Sequence, residues 1–306
     1  MSIAFLILVI SVLIGLGVYF YPVPKVSFER IYASVPEETK RSLTTFRSRH
    51  DLRKIDVDKQ TWQYVTVGDG EKTILFLHGM GGGCDIWWQQ IDALRGRYRL
   101  IAPTYPPVHS LAELDRGIRS MLERERVGRF HVVGSSLGGY LAQYLISRQP
   151  ERIKKAVFAN TFPPNNVIAE KSGAAGKLLP VLPEWMVMRN LRKTTAASLY
   201  PASGSSELVA AYMLEQSYGM MRKAQFVARF HCVLDTFTAP DVKALGIKTL
   251  IIESDNDPLV EAKLRTMLKA AYPSAAVKTF KGAGHFPYLN RAGEYTRILG
   301  EFFDGN

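Results

Sequence analysis

At 306 residues, with 47% hydrophobic and 22% charged side chains, the chain is long enough to bury a substantial core and too apolar to be disordered throughout. Two cysteines, Cys84 and Cys232, exclude a disulfide framework and a zinc finger. The balance of 39 basic against 28 acidic residues gives +11, which favours an anionic partner without choosing between membrane and nucleic acid.

The first element is apolar. Ile3 to Tyr21 carries no charge, and a helix of about 20 such residues crosses a bilayer core of about 30 Å, so residues 1–24 are expected to form a single-pass transmembrane anchor. A signal peptide is the main alternative and a buried core helix the third. Nothing basic precedes Ile3, however, and Tyr19-Phe20-Tyr21-Pro22 reads as an aromatic interface belt rather than a cleavage site. Lys25, Arg30, Lys40 and Arg41 follow the span, which places the large domain on the cytoplasmic side by the positive-inside rule. Residues 25–54 read as a basic juxtamembrane linker in which Lys40, Arg41, Arg47, Arg49, Arg53 and Lys54 are interrupted by Asp51 alone. Each such charge attracts anionic lipid by about 1 kcal/mol near the surface. A merely solvated linker is the plainer reading, and without a nucleic-acid motif no nucleic acid is expected as partner.

From Ile55 to the C-terminus, short apolar runs alternate with helical patterns. Gln63–Val67 alternates at period two and meets a hairpin signal at Gly68-Asp69-Gly70. Thr73–Leu77 is a continuous apolar run, as in a strand covered on both faces. Further strands are expected at Arg99–Ala102, Phe130–Val133, Lys155–Ala159, Thr249–Ile252 and Val277–Phe280. Helices are expected at Ile86–Leu94, Leu111–Glu125, Leu137–Arg148, Glu261–Ala271 and Ala292–Phe303, the second capped by Ser110 with Glu113. This order predicts an α/β fold with a mostly parallel wound sheet over residues 55–306. Residues 163–246, rich in proline and without an evident strand, read as a helical cap inserted after the sixth strand.

The chemistry concentrates at loops. Gly134-Ser135-Ser136-Leu137-Gly138 stands between a strand and a helix, the setting of a nucleophile elbow, where small flanking residues avoid clash and the helix N-terminus favours negative charge. A serine hydroxyl needs a base, and of the histidines only His285 lies on a loop after the last strand, in Gly282-Ala283-Gly284-His285-Phe286-Pro287. The base in turn needs a carboxylate on its other nitrogen; Asp257 is the first candidate, with Asp255 and Glu253 as rivals. His78-Gly79-Met80-Gly81-Gly82-Gly83 follows the strand Thr73–Leu77, so the amides of Met80 and Leu137 are expected to hold an oxyanion, each worth roughly 3 kcal/mol. His78 is read as orienting that loop. No cofactor and no metal is expected: the glycines lack a following Lys-Ser/Thr, and no His-Glu-x-x-His occurs.

With these marks in order, residues Ile55 to Phe303 resemble the α/β-hydrolase superfamily. Asp56–Trp62, Ser136–Gln143 and Phe286–Leu289 are, more narrowly, similar to the maspardin family, whose members are regarded as binding or adaptor proteins without a full triad. The chain departs from that family in carrying His285, which favours catalysis. Ser136 argues against the dehalogenases and epoxide hydrolases of this fold, which resemble one another in an elbow aspartate.

The cap run Leu178–Met188 is apolar, and Leu182, Trp185 and Met186 are expected to form an acyl-binding wall, with plain packing of the cap as the other reading. The whole predicts a membrane-anchored serine hydrolase of small-molecule or lipid esters, through a Ser136–His285–Asp257 triad and an acyl-enzyme. A non-catalytic adaptor and a carbon–carbon bond hydrolase are the alternatives.

Overall fold

The structure, a computed structural model, describes residues 2–305. Helix α1 (Ile3–Tyr19) starts at Ser2, whose hydroxyl accepts the Phe5 amide, and every one of its side chains is exposed. It has 17 residues, about 26 Å of helix, and Pro22 and Pro24 bar its extension. Among the described residues no helix is long and apolar enough to cross a membrane. The expected transmembrane span is corrected on that point to a short, uncovered apolar helix.

Residues 25–54 are not a free linker. Helices α2 (Phe28–Ile31) and α3 (Glu37–Arg49) flank a turn that buries Tyr32 and Val35 in the main core, and α3 adds Leu43 and Phe46. Much of the basic cluster is also engaged within the protein. Arg47 binds Asp85 and Glu215, Arg53 binds Glu125 and Lys40 binds Glu37, leaving Arg41, Arg49 and Lys54 exposed and without an ion pair among the described residues.

Strands β1 (Arg53–Val57) and β2 (Gln60–Val67) form an antiparallel hairpin whose turn, Asp58-Lys59, has φ of 49° and 65°. The hairpin expected at Gly68-Asp69-Gly70 does not form. These glycines let the chain pass close under β4, since a Cβ at either position would lie 2.3 Å from a carbonyl of Tyr98 or Arg97. They lead into β3 (Lys72–Leu77), after which come α4 (Trp88–Leu94), β4 (Tyr98–Thr104), α5 (Leu111–Arg124), β5 (Phe130–Ser135), α6 (Leu137–Arg148) and β6 (Ile153–Ala159).

The insertion follows: α7 (Val167–Leu178), α8 (Glu184–Thr194), a π-helical turn Thr195–Leu199, α9 (Tyr200–Ala202), α10 (Glu207–Glu215), a second π turn Gln216–Met220, and α11 (Lys223–Leu234). The chain returns through β7 (Lys248–Ser254), α12 (Ala262–Ala271), β8 (Ala276–Phe280), α13 (Pro287–Asn290) and α14 (Ala292–Asp304).

The eight strands lie in the order β1-β2-β4-β3-β5-β6-β7-β8, with β2 antiparallel to both neighbours and the rest parallel. Side chains of α3, α4 and α14 pack one face, and those of α5, α6 and α12 the other. A sheet covered on both faces needs apolar residues on both sides of its strands, which Thr73–Leu77 and Val132–Val133 supply. Loops from β3, β5, β6, β7 and β8 then gather at one edge, the carboxyl end, where wound sheets present their sites.

Candidate active site

Ser136 joins β5 to α6 with φ 56° and ψ −123°, a conformation that an L-residue holds only when its surroundings enforce it. The enforcement is visible. The Ser136 amide donates to the carbonyl of Ala159, and the Ser136 carbonyl accepts from the Thr161 hydroxyl and the Tyr140 amide. Gly134 and Gly138 must be glycine, because a Cβ on either would fall 2.1 Å from a backbone oxygen, that of Gly138 or Leu77. The small residues of the motif thus let α6 start against the end of β3 with the serine at the corner.

His285 is carried on the loop after β8, whose Gly282 and Gly284 have φ of 63° and 65°. The amides of these glycines donate to the side chains of Asp255 and Asn256 respectively, which bind the histidine loop to the loop after β7. Asp257 faces His285 Nδ1 at 2.8 Å and 3.0 Å through its two oxygens. Its Oδ1 accepts the amides of Leu259 and Val260, and its Oδ2 accepts Asn160 Nδ2 at 2.9 Å. Burial pushes this carboxyl up, but the facing His285 and these donors outweigh it and hold Asp257 below the usual carboxylate range. A carboxylate on Nδ1 fixes the proton there and leaves Nε2 as the basic nitrogen.

The two rivals are engaged elsewhere: Asp255 with the Gly282 amide, Glu253 with Lys269 and Thr279. Asn160, absent from the sequence reading, holds Asp257 in place. Its position directly after a parallel strand, at the same edge as Ser136, was the available signal.

Ser136 and His285 line one cavity of about 380 Å³ together with Gly79 and Met80. No hydrogen bond joins the Ser136 hydroxyl to His285 directly; catalytic contacts of this kind commonly tighten only around a substrate. Gly79 packs against the serine, where an added Cβ would lie 3.0 Å from Ser136 Cβ. The amides of Met80 and Leu137 have no acceptor among the described residues. His78 Nδ1 donates to the Gly79 carbonyl at 2.6 Å and its Nε2 accepts the Tyr105 amide, so the ring orients the loop as expected, and burial pulls its pKa far down to keep it neutral.

The expected acyl wall is placed differently. Leu182, Trp185 and Met186 border a separate depression with Leu179 and Val187, outside the Ser136 cavity. The apolar lining of the Ser136 cavity comes instead from Leu191, Leu199, Met213, Phe226, Phe230 and Val233. The spacing of 226, 230 and 233 along one helix face was a legible stripe. The remaining histidines stay apart: His131 is buried in β5, His109 pairs with His231 at 3.0 Å, and His50 ends α3 against Phe46. Cys84 is a buried thiol whose pKa burial pushes up to about 12. No cluster of potential metal ligands occurs among the described residues.

A sequence model of the Alpha/beta hydrolase family matches residues 74–298. Maspardin of Mus musculus is 27% identical over 263 residues, 81% of this chain and 82% of that protein. A hydrolase from Pseudomonas aeruginosa PA01 superposes with a TM-score of 0.70 at 20% identity, covering 84% of this chain and 99% of its own. A membrane phospholipase A, described as a bacterial virulence factor, superposes with a TM-score of 0.67 at 19% identity, over 98% of this chain and 96% of that one. At such identities the structural likenesses speak for the fold. The family match runs from β3 into α14 and spans every loop that carries the site, so the chain belongs to the alpha/beta hydrolase family.

Proposed function

We propose that the protein is a serine hydrolase that cleaves carboxylic esters with an apolar acyl part. The observation that carries this reading is the convergence of the strained Ser136 corner and the Asp257-bound His285 on one largely apolar cavity. In the proposed cycle, His285 Nε2 takes the Ser136 proton as Oγ attacks the ester carbonyl, and the Met80 and Leu137 amides hold the oxyanion. His285 then protonates the leaving alcohol. Water, deprotonated by the same nitrogen, releases the acid and restores the serine. Asp257 stays ionised throughout and stabilises the transient imidazolium.

The substrate class we favour is a lipid ester met at a membrane surface. Supporting it are the apolar α1, none of whose side chains is buried, and a fold likeness to a membrane phospholipase A that extends over the N-terminal segment. In this reading α1 embeds in lipid and the hydrolase domain rests on that surface.

Fluorophosphonate labelling and p-nitrophenyl ester turnover test the chemistry: both are expected in the wild type and absent in Ser136→Ala. Equal labelling of the two would remove the nucleophile assignment and leave the adaptor reading, which the absence of a direct Ser136–His285 hydrogen bond favours. Preferential turnover of vinylogous diketo acids would replace ester by carbon–carbon hydrolysis. Flotation with anionic vesicles tests the membrane term, with Leu13→Lys in α1 expected to leave the protein unbound.

A further inference from the structure

Arg229 is a cation where none is ordinarily tolerated. It lies on α11 of the cap, 1% exposed, with no carboxylate partner among the described residues. Burial lowers its pKa to about 10, so the guanidinium remains charged near neutrality. Its two Nη groups reach three backbone carbonyls, Nη1 those of Met80 at 2.7 Å and Gly82 at 3.0 Å and Nη2 that of Tyr105 at 3.0 Å; Nη1 also meets Met221 Sδ at 3.4 Å, and Nε has no partner among the described residues. Burying a charge without a counter-ion is costly in general, so an arrangement this specific calls for a reason.

The reason lies in what those carbonyls control. Tyr105 donates its amide to His78 Nε2, which puts the His78 proton on Nδ1, and Nδ1 donates to the Gly79 carbonyl. The Gly79 carbonyl and the Met80 amide belong to one planar peptide unit and point in opposite directions, so holding the carbonyl aims the amide. Arg229 holds the next carbonyl, that of Met80, and the peptide planes on both sides of the Met80 α-carbon are thereby fixed. The same guanidinium grips Tyr105 and closes the circuit back to His78.

We propose that Arg229 is a positioning residue through which the cap holds the Met80 amide on the oxyanion, so that the attack step depends on the cap being seated. This rests on the serine-hydrolase reading. It also ties two parts of the molecule that the sequence leaves unconnected, a cap helix and the glycine loop after β3.

The test compares wild type, Arg229→Met and Arg229→Lys for p-nitrophenyl ester turnover and for inhibition by an alkyl trifluoromethyl ketone, which mimics the tetrahedral intermediate. Arg229→Met is expected to lower kcat about 10- to 100-fold with little change in KM, and to weaken the ketone by the same factor. Lysine, able to reach one or two of the three carbonyls, is expected to restore part of both. Should the methionine variant not fold, the lysine variant alone carries the test, with a partial kcat loss at constant KM. Unchanged kcat per folded molecule, or a loss confined to KM with the ketone still binding tightly, overturns the proposal. Loss of all activity in the wild type, or activity kept in Ser136→Ala, would instead sink the hydrolase reading beneath it.

Discussion

Gly79 and Ser136 occupy each other's side-chain space: a Cβ on the glycine would lie 3.0 Å from the serine Cβ and 3.6 Å from its Oγ. The oxyanion loop and the nucleophile can therefore stand side by side only because position 79 has no side chain. The backbone there is not left-handed, so alanine is sterically barred by the serine and not by its own φ.

Gly79→Ala is accordingly expected to fold and to fail at chemistry. Displacing the serine or the loop by a few tenths of an ångström should lower kcat about 10- to 100-fold, since misplacements of this order are amplified at a reacting centre. Gly138→Ala should behave in the opposite way. Its Cβ would meet the Leu77 carbonyl oxygen at 2.1 Å, so α6 must leave β3 and stability falls by about 3 kcal/mol. Thermal melts beside fluorophosphonate labelling rates separate the two outcomes.

Asp257→Asn tests the second partner. Either orientation of the new carboxamide turns its NH₂ toward a donor, Asn160 on one side or the Leu259 and Val260 amides on the other. It also removes the charge that holds the His285 tautomer. A kcat loss of roughly 10⁴ with KM retained is expected, by analogy with the same change in serine proteases. A variant with near-native turnover would show that His285 works without this carboxylate.

The sheet and the site loops were legible because their signals are local. Apolar runs marked the parallel strands, Gly134 to Gly138 marked the corner, and the chain order of Ser136, Asp257 and His285 marked the family. The N-terminal helices were hidden because Leu43 and Phe46 sit among charges, and because Arg47 finds Asp85 and Glu215 at distances of 38 and 168 residues that composition cannot reveal. Trp185 misled for a related reason. An apolar run states that a side chain seeks cover, and here the indole covers the end of α1 instead of a substrate.

Trp185 Nε1 donates to the carbonyl of Val18, which the Tyr21 amide reaches only at 3.4 Å, and its ring packs edge-on against Tyr21. Trp185→Phe should free that end. Amide exchange over residues 18–25 is expected to rise while turnover of a soluble short ester holds within about twofold. A fall in turnover with unchanged exchange would return Trp185 to the substrate wall.

His131 carries a pH dependence unrelated to catalysis. Both ring nitrogens are buried without partners, the ring packs on Phe303, and burial with Lys154, Lys155 and Lys72 lowers its pKa to about 4. Below about 6.5 the unfolded chain takes up a proton that the folded one refuses, so stability declines from there down to about pH 4, by up to about 3 kcal/mol. His131→Phe should flatten this segment of the curve, read by urea unfolding at pH 7 and pH 4.5. A wild-type stability that stays level across the window would contradict the assignment.

Arg47 joins the N-terminal segment to the cavity wall. Its guanidinium holds Glu215 in a two-point contact at 2.8 Å and Asp85 through Nε at 2.8 Å, while Tyr32 and Tyr212 donate to the same two carboxylates. Both acids are nearly buried, so removing the one cation strands two negative charges beside each other. Arg47→Met should cost about 3–5 kcal/mol, and Arg47→Met with Asp85→Asn and Glu215→Gln should recover much of that by neutralising what was stranded. Glu215 directly precedes the π turn Gln216–Met220, and Gln216 and Ser217 line the cavity. Loosening Glu215 is therefore expected to raise KM for long-chain esters more than for short ones in the single variant. Chemical denaturation and KM as a function of acyl length measure the two effects together. A single variant of native stability would mean that α3 is held by Leu43 and Phe46 alone.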